Sequence, residues 1–364
     1  MDKIYVTKPS LPDYEAYAEE IKRIWKSNHI TNFGPQYQRF LEQLRRRFGY
    51  RYIDVQCNGH LTLQNILSCI PRGEIITTPF TFVSTALAIT NAGHTPVFCD
   101  INEDDYNIDV SKIEALITDK TVAIVPVHVF GSPCDVNAIA DIARKHSVRV
   151  IYDAAHAFGV SVDGESIGNF GDASMFSFHA TKVFNSIEGG MGVFREEHML
   201  KECVARSNFG MSNGEILYKG INSKMNEFSA TMGLLNLDNL STVIKARKNV
   251  TEYYDEAFGE ISALKILSRK QGIDYNYAYY PIVLKEDDGS QTQALMDYLA
   301  ARDIFARRYF FPAINDLELF EGGSTPVAKK IADSIICLPL YASMTEVERC
   351  RVKDAVRGFF GSNK

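Results

Sequence analysis

Lys182 closes the segment Ser177-Phe178-His179-Ala180-Thr181-Lys182, which follows an apolar run that reads as a strand. Burying an ammonium is costly unless its pKa falls or it forms a covalent bond. A desolvated lysine of lowered pKa is what Schiff-base chemistry requires. Taken alone, the segment fits a surface lysine at a strand end better. Upstream, VRVIYDAAHAFG ends an apolar run in Asp153, followed by small residues and His156. A carboxylate at the C-terminal end of a parallel strand lies where open α/β sheets bind ligands. Buried beside a pyridine nitrogen, it would keep that nitrogen protonated, as pyridoxal phosphate needs when its ring is an electron sink. Cys57-Asn58-Gly59-His60-Leu61 reads as a turn opening a helix. Its glycine lets backbone N–H groups approach an anion, and the helix N-terminus favours the charge.

These residues need a sheet to hold them. From residue 36 onward the chain alternates between helical and strand-like segments. Helices are expected over Tyr37–Phe48, Leu61–Ile70, Val136–His146 and Asn226–Lys248. Strands are expected over Ile75–Phe82, Thr95–Cys99, Thr121–Phe130, Val148–Tyr152, Ala173–Phe178 and Gly192–Phe194. Such alternation predicts βαβ units and a mainly parallel sheet covered by helices. Beyond it, a tyrosine-rich strand (Tyr275–Leu284), a helix (Gln291–Arg302), a strand (Ala306–Phe311) and a last helix (Thr345–Phe359) read as a smaller α+β domain. Thr345 and Glu348 make a capping box for that helix. The expected division is residues 1–245, an N-terminal arm with the large cofactor-binding domain, and residues 246–364, the small domain.

Composition excludes several function classes. The chain of 364 residues carries a net charge of −6, and its longest basic run is Arg45-Arg46-Arg47. It therefore lacks the broad basic surface that nucleic-acid binding needs. No apolar run approaches the roughly 18 residues of a membrane span, and the first residues do not read as a secretory signal. Seven scattered cysteines with no C-x-x-C pair predict reduced thiols in the cytoplasm rather than disulfides or zinc. The eight histidines show no metal-ligand spacing, so no metal is expected. His94 and His128 are read as packing residues, the tyrosines at 275–280 as cover for the small sheet, and Trp25 as an anchor for an N-terminal helix.

In order and spacing, these segments resemble the DegT/DnrJ/EryC1/StrS nucleotide-sugar aminotransferases, of the aspartate aminotransferase fold of pyridoxal-phosphate (PLP) transferases. The resemblance rests on TNFGP (Thr31–Pro35), PFTFVST (Pro79–Thr85), PVHVFGSPCD (Pro126–Asp135) and DAAHAFG (Asp153–Gly159). It continues through SFHATK (Ser177–Lys182) with EGG (Glu188–Gly190), GINSKMNEFSA (Gly220–Ala230) and LPLYASMTEVE (Leu338–Glu348). It implies that Lys182 holds the cofactor and moves the proton, and that Asp153 partners the pyridine nitrogen. It further implies that His156 bonds the ring hydroxyl, Phe82 stacks on the ring, and Ser177 with the backbone of Gly59 and His60 cradles the phosphate. Asn222 matches an asparagine reaching the phosphate from a neighbouring subunit, which implies a homodimer with shared active sites. His60 stands where Ser or Thr is commonest, Lys224 where many members have Arg, and Asn315 where many have His. His179, Tyr309 and Asn315 are the candidate substrate contacts.

The resemblance implies transfer of an amino group from L-glutamate to a nucleotide-linked ketosugar, with dTDP-4-keto-6-deoxyglucose (amination at C4) the expected acceptor. Amination at C3 is the close alternative. A dehydratase of the same fold carries histidine in place of the lysine, and Lys182 speaks against it. A cofactor-binding regulator without turnover is disfavoured by Lys182, Asp153, Phe82 and Ser177 together.

Overall fold

The computed structural model describes residues 2–320 and 322–361. Its centre is a seven-stranded sheet of β1 (Tyr52–Gln56), β2 (Glu74–Thr77), β3 (Thr95–Phe98), β4 (Thr121–Val125), β5 (Arg149–Asp153), β6 (Ala173–Ser177) and β7 (Gly190–Phe194). Their spatial order is β1-β7-β6-β5-β4-β2-β3. Strands β3, β2, β4, β5 and β6 pair in parallel, and β7 runs antiparallel to both of its neighbours. The TVAIV and RVIYD runs of β4 and β5 are almost wholly buried, as strands covered on both faces must be.

Helices α1 (Tyr14–Ser27), α2 (Pro35–Phe48), α3 (Gly59–Ser68), α4 (Val83–Asn91), α5 (Val136–His146), α6 (Glu197–Ser207) and α7 (Glu227–Phe258) accompany the sheet. Against one face, Phe40, Phe158, Phe178 and Phe184 form an aromatic core with ring centroids 4.6–6.1 Å apart. Leu63, Ile66, Ile75 and Ile151 belong to a separate buried cluster. The smaller unit holds an antiparallel sheet of β8 (Leu264–Ile266), β9 (Tyr280–Leu284) and β10 (Ile335–Leu338). Its helices are α8 (Ser290–Ala300), α9 (Pro326–Ser334) and α10 (Glu346–Gly361). The capping box of α10 forms as expected. Thr345 N–H donates to Glu348 Oε2 at 2.7 Å, and Glu348 N–H donates to Thr345 Oγ1 at 3.2 Å.

Several elements differ from expectation for local reasons. β2 stops at Thr77, because Pro79 has no N–H to give a ladder and Thr78 Oγ1 takes the Phe80 N–H. β4 stops at Val125, where Pro126 follows and Phe130 turns to φ 56°. The tyrosine-rich strand shrinks to Tyr280–Leu284, since Tyr277 lies at φ 54°. The Ala306–Phe311 strand is absent. Only Ile304–Phe305 pairs, with Ile4–Tyr5, and the chain then bridges once from Arg307 to Cys337 before leaving the sheet. Helix α7 runs ten residues past Lys248 and passes unbroken through residue 245. Its far half packs Tyr254 and Phe258 into the core of the smaller unit, which also takes Ile4 from the N-terminal arm. Trp25 is 69% exposed, touching Phe228 edge-on at 5.7 Å, so it does not anchor its helix in a core.

Candidate active site

The C-terminal ends of β1, β2, β5 and β6 converge on a cavity of about 300 Å³. Its walls include Gly59, His60, Phe82, Asp153, His156, Ser177, His179, Lys182 and Tyr309, nine of the residues singled out from sequence. Parallel register explains the convergence: β5 pairs β6 with Asp153 beside Met175, so the ends of the two strands lie side by side.

At the β1 end, the Asn58 side chain caps α3 by accepting the Leu61 N–H at 2.8 Å. A Cβ on Gly59 would lie 3.0 Å from Met175 Sδ and 3.1 Å from Ser177 Cβ. Glycine therefore lets the helix start descend onto the end of β6. Below it passes β7, where a Cβ on Gly190 would lie 2.5 Å from the Asn58 carbonyl oxygen. His60 Nδ1 lies 2.9 Å from Ser84 Oγ. Backbone contacts alone were expected at this position, but the structure adds a hydroxyl from α4 to the same corner.

Asp153 is buried, and burial pushes its carboxyl pKa up. Oδ2 accepts from Thr85 Oγ1 at 2.7 Å and Oδ1 from the Ala155 N–H at 3.0 Å, and both bonds favour the anion. Thr85 is itself 2.9 Å from Thr81 Oγ1. Lys182 keeps some exposed surface because it opens onto the cavity. Burial nevertheless pushes its pKa down to about 8, opposed by the Asp153 carboxylate and reinforced by Arg307. An amine titrating so near neutrality can both take and give a proton.

His156 Nδ1 accepts the Phe130 N–H at 3.3 Å, which assigns the ring proton to Nε2. Burial, and then the charge of Lys182, push this histidine's pKa well down, so it is a neutral donor. His179 Nδ1 pairs with Thr181 Oγ1 at 2.7 Å, and its Nε2 faces Glu188 Oε1 at 3.4 Å. Phe82 leaves 53% of its surface exposed at the cavity.

Two expected site residues lie elsewhere. The Asn315 amide donates to Gly323 O at 3.0 Å and Thr325 Oγ1 at 2.8 Å, fastening the turn before α9 outside the cavity wall. Its Oδ1 is buried and has no hydrogen-bond partner among the described residues. Asn222 is exposed and outside its own chain's cavity, its Oδ1 accepting from Lys224 Nζ at 2.8 Å. Sequence reasoning overlooked Thr85, Ser84, Tyr279 and Arg307. Tyr279, expected to cover the small sheet, lines the cavity with its ring 4.7 Å from His156. His94 and His128 are packing residues. His94 bonds Leu67 O and the Gly73 N–H, while His128 stacks on Tyr152 at 4.6 Å.

A mainly parallel sheet covered on both faces thus brings a buried carboxylate at the end of β5 and a lysine from the connection after β6 into one cavity, an arrangement suited to amine chemistry in an α/β enzyme. The DegT/DnrJ/EryC1/StrS aminotransferase family profile matches residues 13–357, and the chain belongs to that family. It is 39% identical over 348 residues to a dTDP-4-amino-4,6-dideoxy-D-glucose transaminase of Shigella dysenteriae, covering 94% of this chain and 95% of that protein. An Escherichia coli protein of the same name is 35% identical over 357 residues, with coverage of 94% and 95%. Among solved structures, DesI in the presence of its TDP-sugar product superposes with a TM-score of 0.94 at 30% identity, covering all of this chain and 94% of that one. The chain is an aminotransferase of the PLP-dependent transferase fold.

Proposed function

We propose that this enzyme uses pyridoxal 5′-phosphate to move the amino group of L-glutamate onto C4 of dTDP-4-keto-6-deoxyglucose, working as a homodimer in the cytoplasm. The observation that carries the reading is the pairing of Lys182, lowered to about pKa 8, with the buried Asp153 carboxylate in one cavity. The names of the two bacterial relatives support the choice of sugar and carbon.

The residues present fit the cofactor. The Gly59 cradle with Ser177, His60 and Ser84 offers backbone N–H groups and hydroxyls to a phosphate. The Phe82 ring is free to stack, and His156 Nε2–H is free to donate to a ring oxygen. Asp153, fixed by Thr85 and Ala155, is placed to hold a pyridine nitrogen charged. When bound, pyridoxal phosphate supplies an electron sink for the carbon that loses its proton. Lys182 Nζ takes that proton from the donor's α-carbon and, in the second half of the cycle, returns one to the sugar carbon. Asp153 stays anionic throughout, and His156 stays neutral. Exposed Asn222 and Phe209, with half-buried Lys224 between them, are offered to a second subunit, which supports a dimer with shared sites. The seven cysteines are all free thiols, as suits a reducing compartment.

The test is direct. The purified protein should be yellow, L-glutamate should bleach it, and a dTDP-4-keto-6-deoxyglucose chase should restore the colour and yield an amino sugar by mass spectrometry. A colourless protein that stays so with added cofactor would overturn the reading. Turnover with 3-keto sugars alone would move the amination to C3.

A further inference from the structure

His156 belongs to the larger unit, yet the smaller one holds it from several sides. Before β9 the chain passes along residues 275–279, outside any helix or strand. There the buried Asn276 crosses to the loop after β5. Its amide donates to His156 O at 2.7 Å and to Phe158 O at 3.0 Å. Its Oδ1 accepts the Ala278 N–H of its own segment at 3.1 Å. Both amide protons and the carbonyl oxygen are thus used, and one side chain ties the two units together. The approach is close. A Cβ on Gly131, which lies at φ 81°, would come 2.6 Å from Asn276 Oδ1. Three residues on, Tyr279 sets its ring 4.7 Å from the imidazole, and Phe310 lies nearly parallel to it, 9° off at 5.7 Å. From the larger unit, Phe130 faces the imidazole at 6.4 Å and 7° and gives its N–H to Nδ1.

Arg247 fixes the same segment from behind. This buried guanidinium of α7 donates through Nη1 to Tyr277 O at 3.3 Å, Ala278 O at 3.1 Å and Leu340 O at 3.1 Å. Tyr277 lies at φ 54°, a left-handed conformation that a residue other than glycine keeps when its surroundings enforce it. A segment that merely joined the units could bond anywhere along their seam. This one ties the backbone at residues 156 and 158, packs the imidazole, and leaves Nε2–H as the donor still open at the cavity. We propose that Asn276 is a positioning residue: by holding the His156 loop it aims Nε2–H at the cofactor's ring oxygen. A contact made by the larger unit is thereby directed from the smaller one, as supporting hydrogen bonds direct the groups of a preorganised site. This rests on the pyridoxal-phosphate reading and adds the residue that gives the His156 contact its direction.

The experiment compares cofactor-loaded parent protein, N276A, H156F and the double variant N276A/H156F. Two quantities are measured: the pH midpoint of the cofactor's absorbance, and the rate of each half-reaction against substrate concentration. A donor to the ring oxygen favours its anion, so misdirecting that donor in N276A should raise the midpoint by about one pH unit. The maximal rates of both half-reactions should fall about tenfold, with half-saturating L-glutamate and ketosugar within about threefold, because His156 meets the cofactor. In the H156F background the same substitution should change either quantity by no more than about twofold, since no donor is left to aim. R247K loosens the segment while Asn276 stays in place. It should raise the midpoint by less, again only with His156 present, and it decides the matter if N276A does not fold. Equal effects with and without His156 would overturn the inference. So would a lower melting temperature with midpoint and rates unchanged. A parent protein that takes up no cofactor would overturn the functional reading and the inference with it, whereas a yellow parent with an unshifted N276A overturns the inference alone.

Discussion

The two walls of the cavity are built on different plans. On the strand-end wall, Asp153 has both oxygens hydrogen-bonded, His156 has its tautomer set by a backbone N–H, and α3 is capped and pressed onto β6. On the other wall, residues 306–311 leave the sheet after one bridge, and Arg307 reaches the cavity with its side-chain donors unpaired among the described residues. Polar groups that must hold one charge state through a reaction gain from complete internal satisfaction in a low dielectric. Groups that must bind and release substrates need donors still open to them. The carboxylate is thus held at a strand end with both oxygens bonded, while Arg307 is carried on a connection with donors to offer.

Substitutions on the two walls should therefore separate in kind as well as size. Lys182→Ala should have the largest effect, lowering turnover by roughly 10⁴-fold or more, measured as amino-sugar formation. In the apoprotein the same residue tests the electrostatics. Its folded pKa of about 8 lies below the unfolded value, so the lysine destabilises the fold. That cost is fully present below about pH 8 and gone above about pH 10.5. Lys182→Met should therefore raise the melting temperature at pH 7 and leave it little changed near pH 10.5; a fall at pH 7 would contradict the assigned burial.

Asp153→Asn should come next, lowering turnover by roughly 10²–10³-fold with protein yield retained, because the preorganised negative charge is lost while the shape is kept. Thr85→Val should be milder, about tenfold in turnover. Its hydrogen bond holds the Asp153 pKa down, so its loss should shift the acid limb of the pH–rate profile to higher pH. A Thr85→Val variant that changed only donor saturation would break the division between the walls. The smallest effect is expected for Asn315→Ala: both substrates within about threefold, with stability reduced by about 1 kcal/mol in thermal melting. A large, selective loss for the ketosugar would return Asn315 to the substrate site.

Much of the strand-end wall could be read directly, because its signals are local. An apolar run ending in an acid, a lysine after a strand and a glycine at a helix start each follow from neighbours along the chain. Thr85 was passed over because PFTFVST offers two threonines and a serine, and nothing local says which hydroxyl meets Asp153 across the sheet. Tyr279 and Tyr280 alternate as β residues do. Only the packed smaller unit turns the first to the cavity and the second into the core against Tyr254. Family position suggested contact for Asn315, and only the folded chain shows its amide nitrogen bonded to the turn before α9.

By itself, the sequence determined the mainly parallel sheet, several helices and the lysine and carboxylate as candidate site residues. Side-chain periodicity, capping and burial cost all act over a few neighbouring residues. Only the tertiary structure decided which of the adjacent Arg307 and Arg308 lines the cavity and which hydroxyl holds the carboxylate. Those outcomes depend on which distant carbonyls, rings and strand ends arrive beside each side chain, and such distances exist only once the chain has folded.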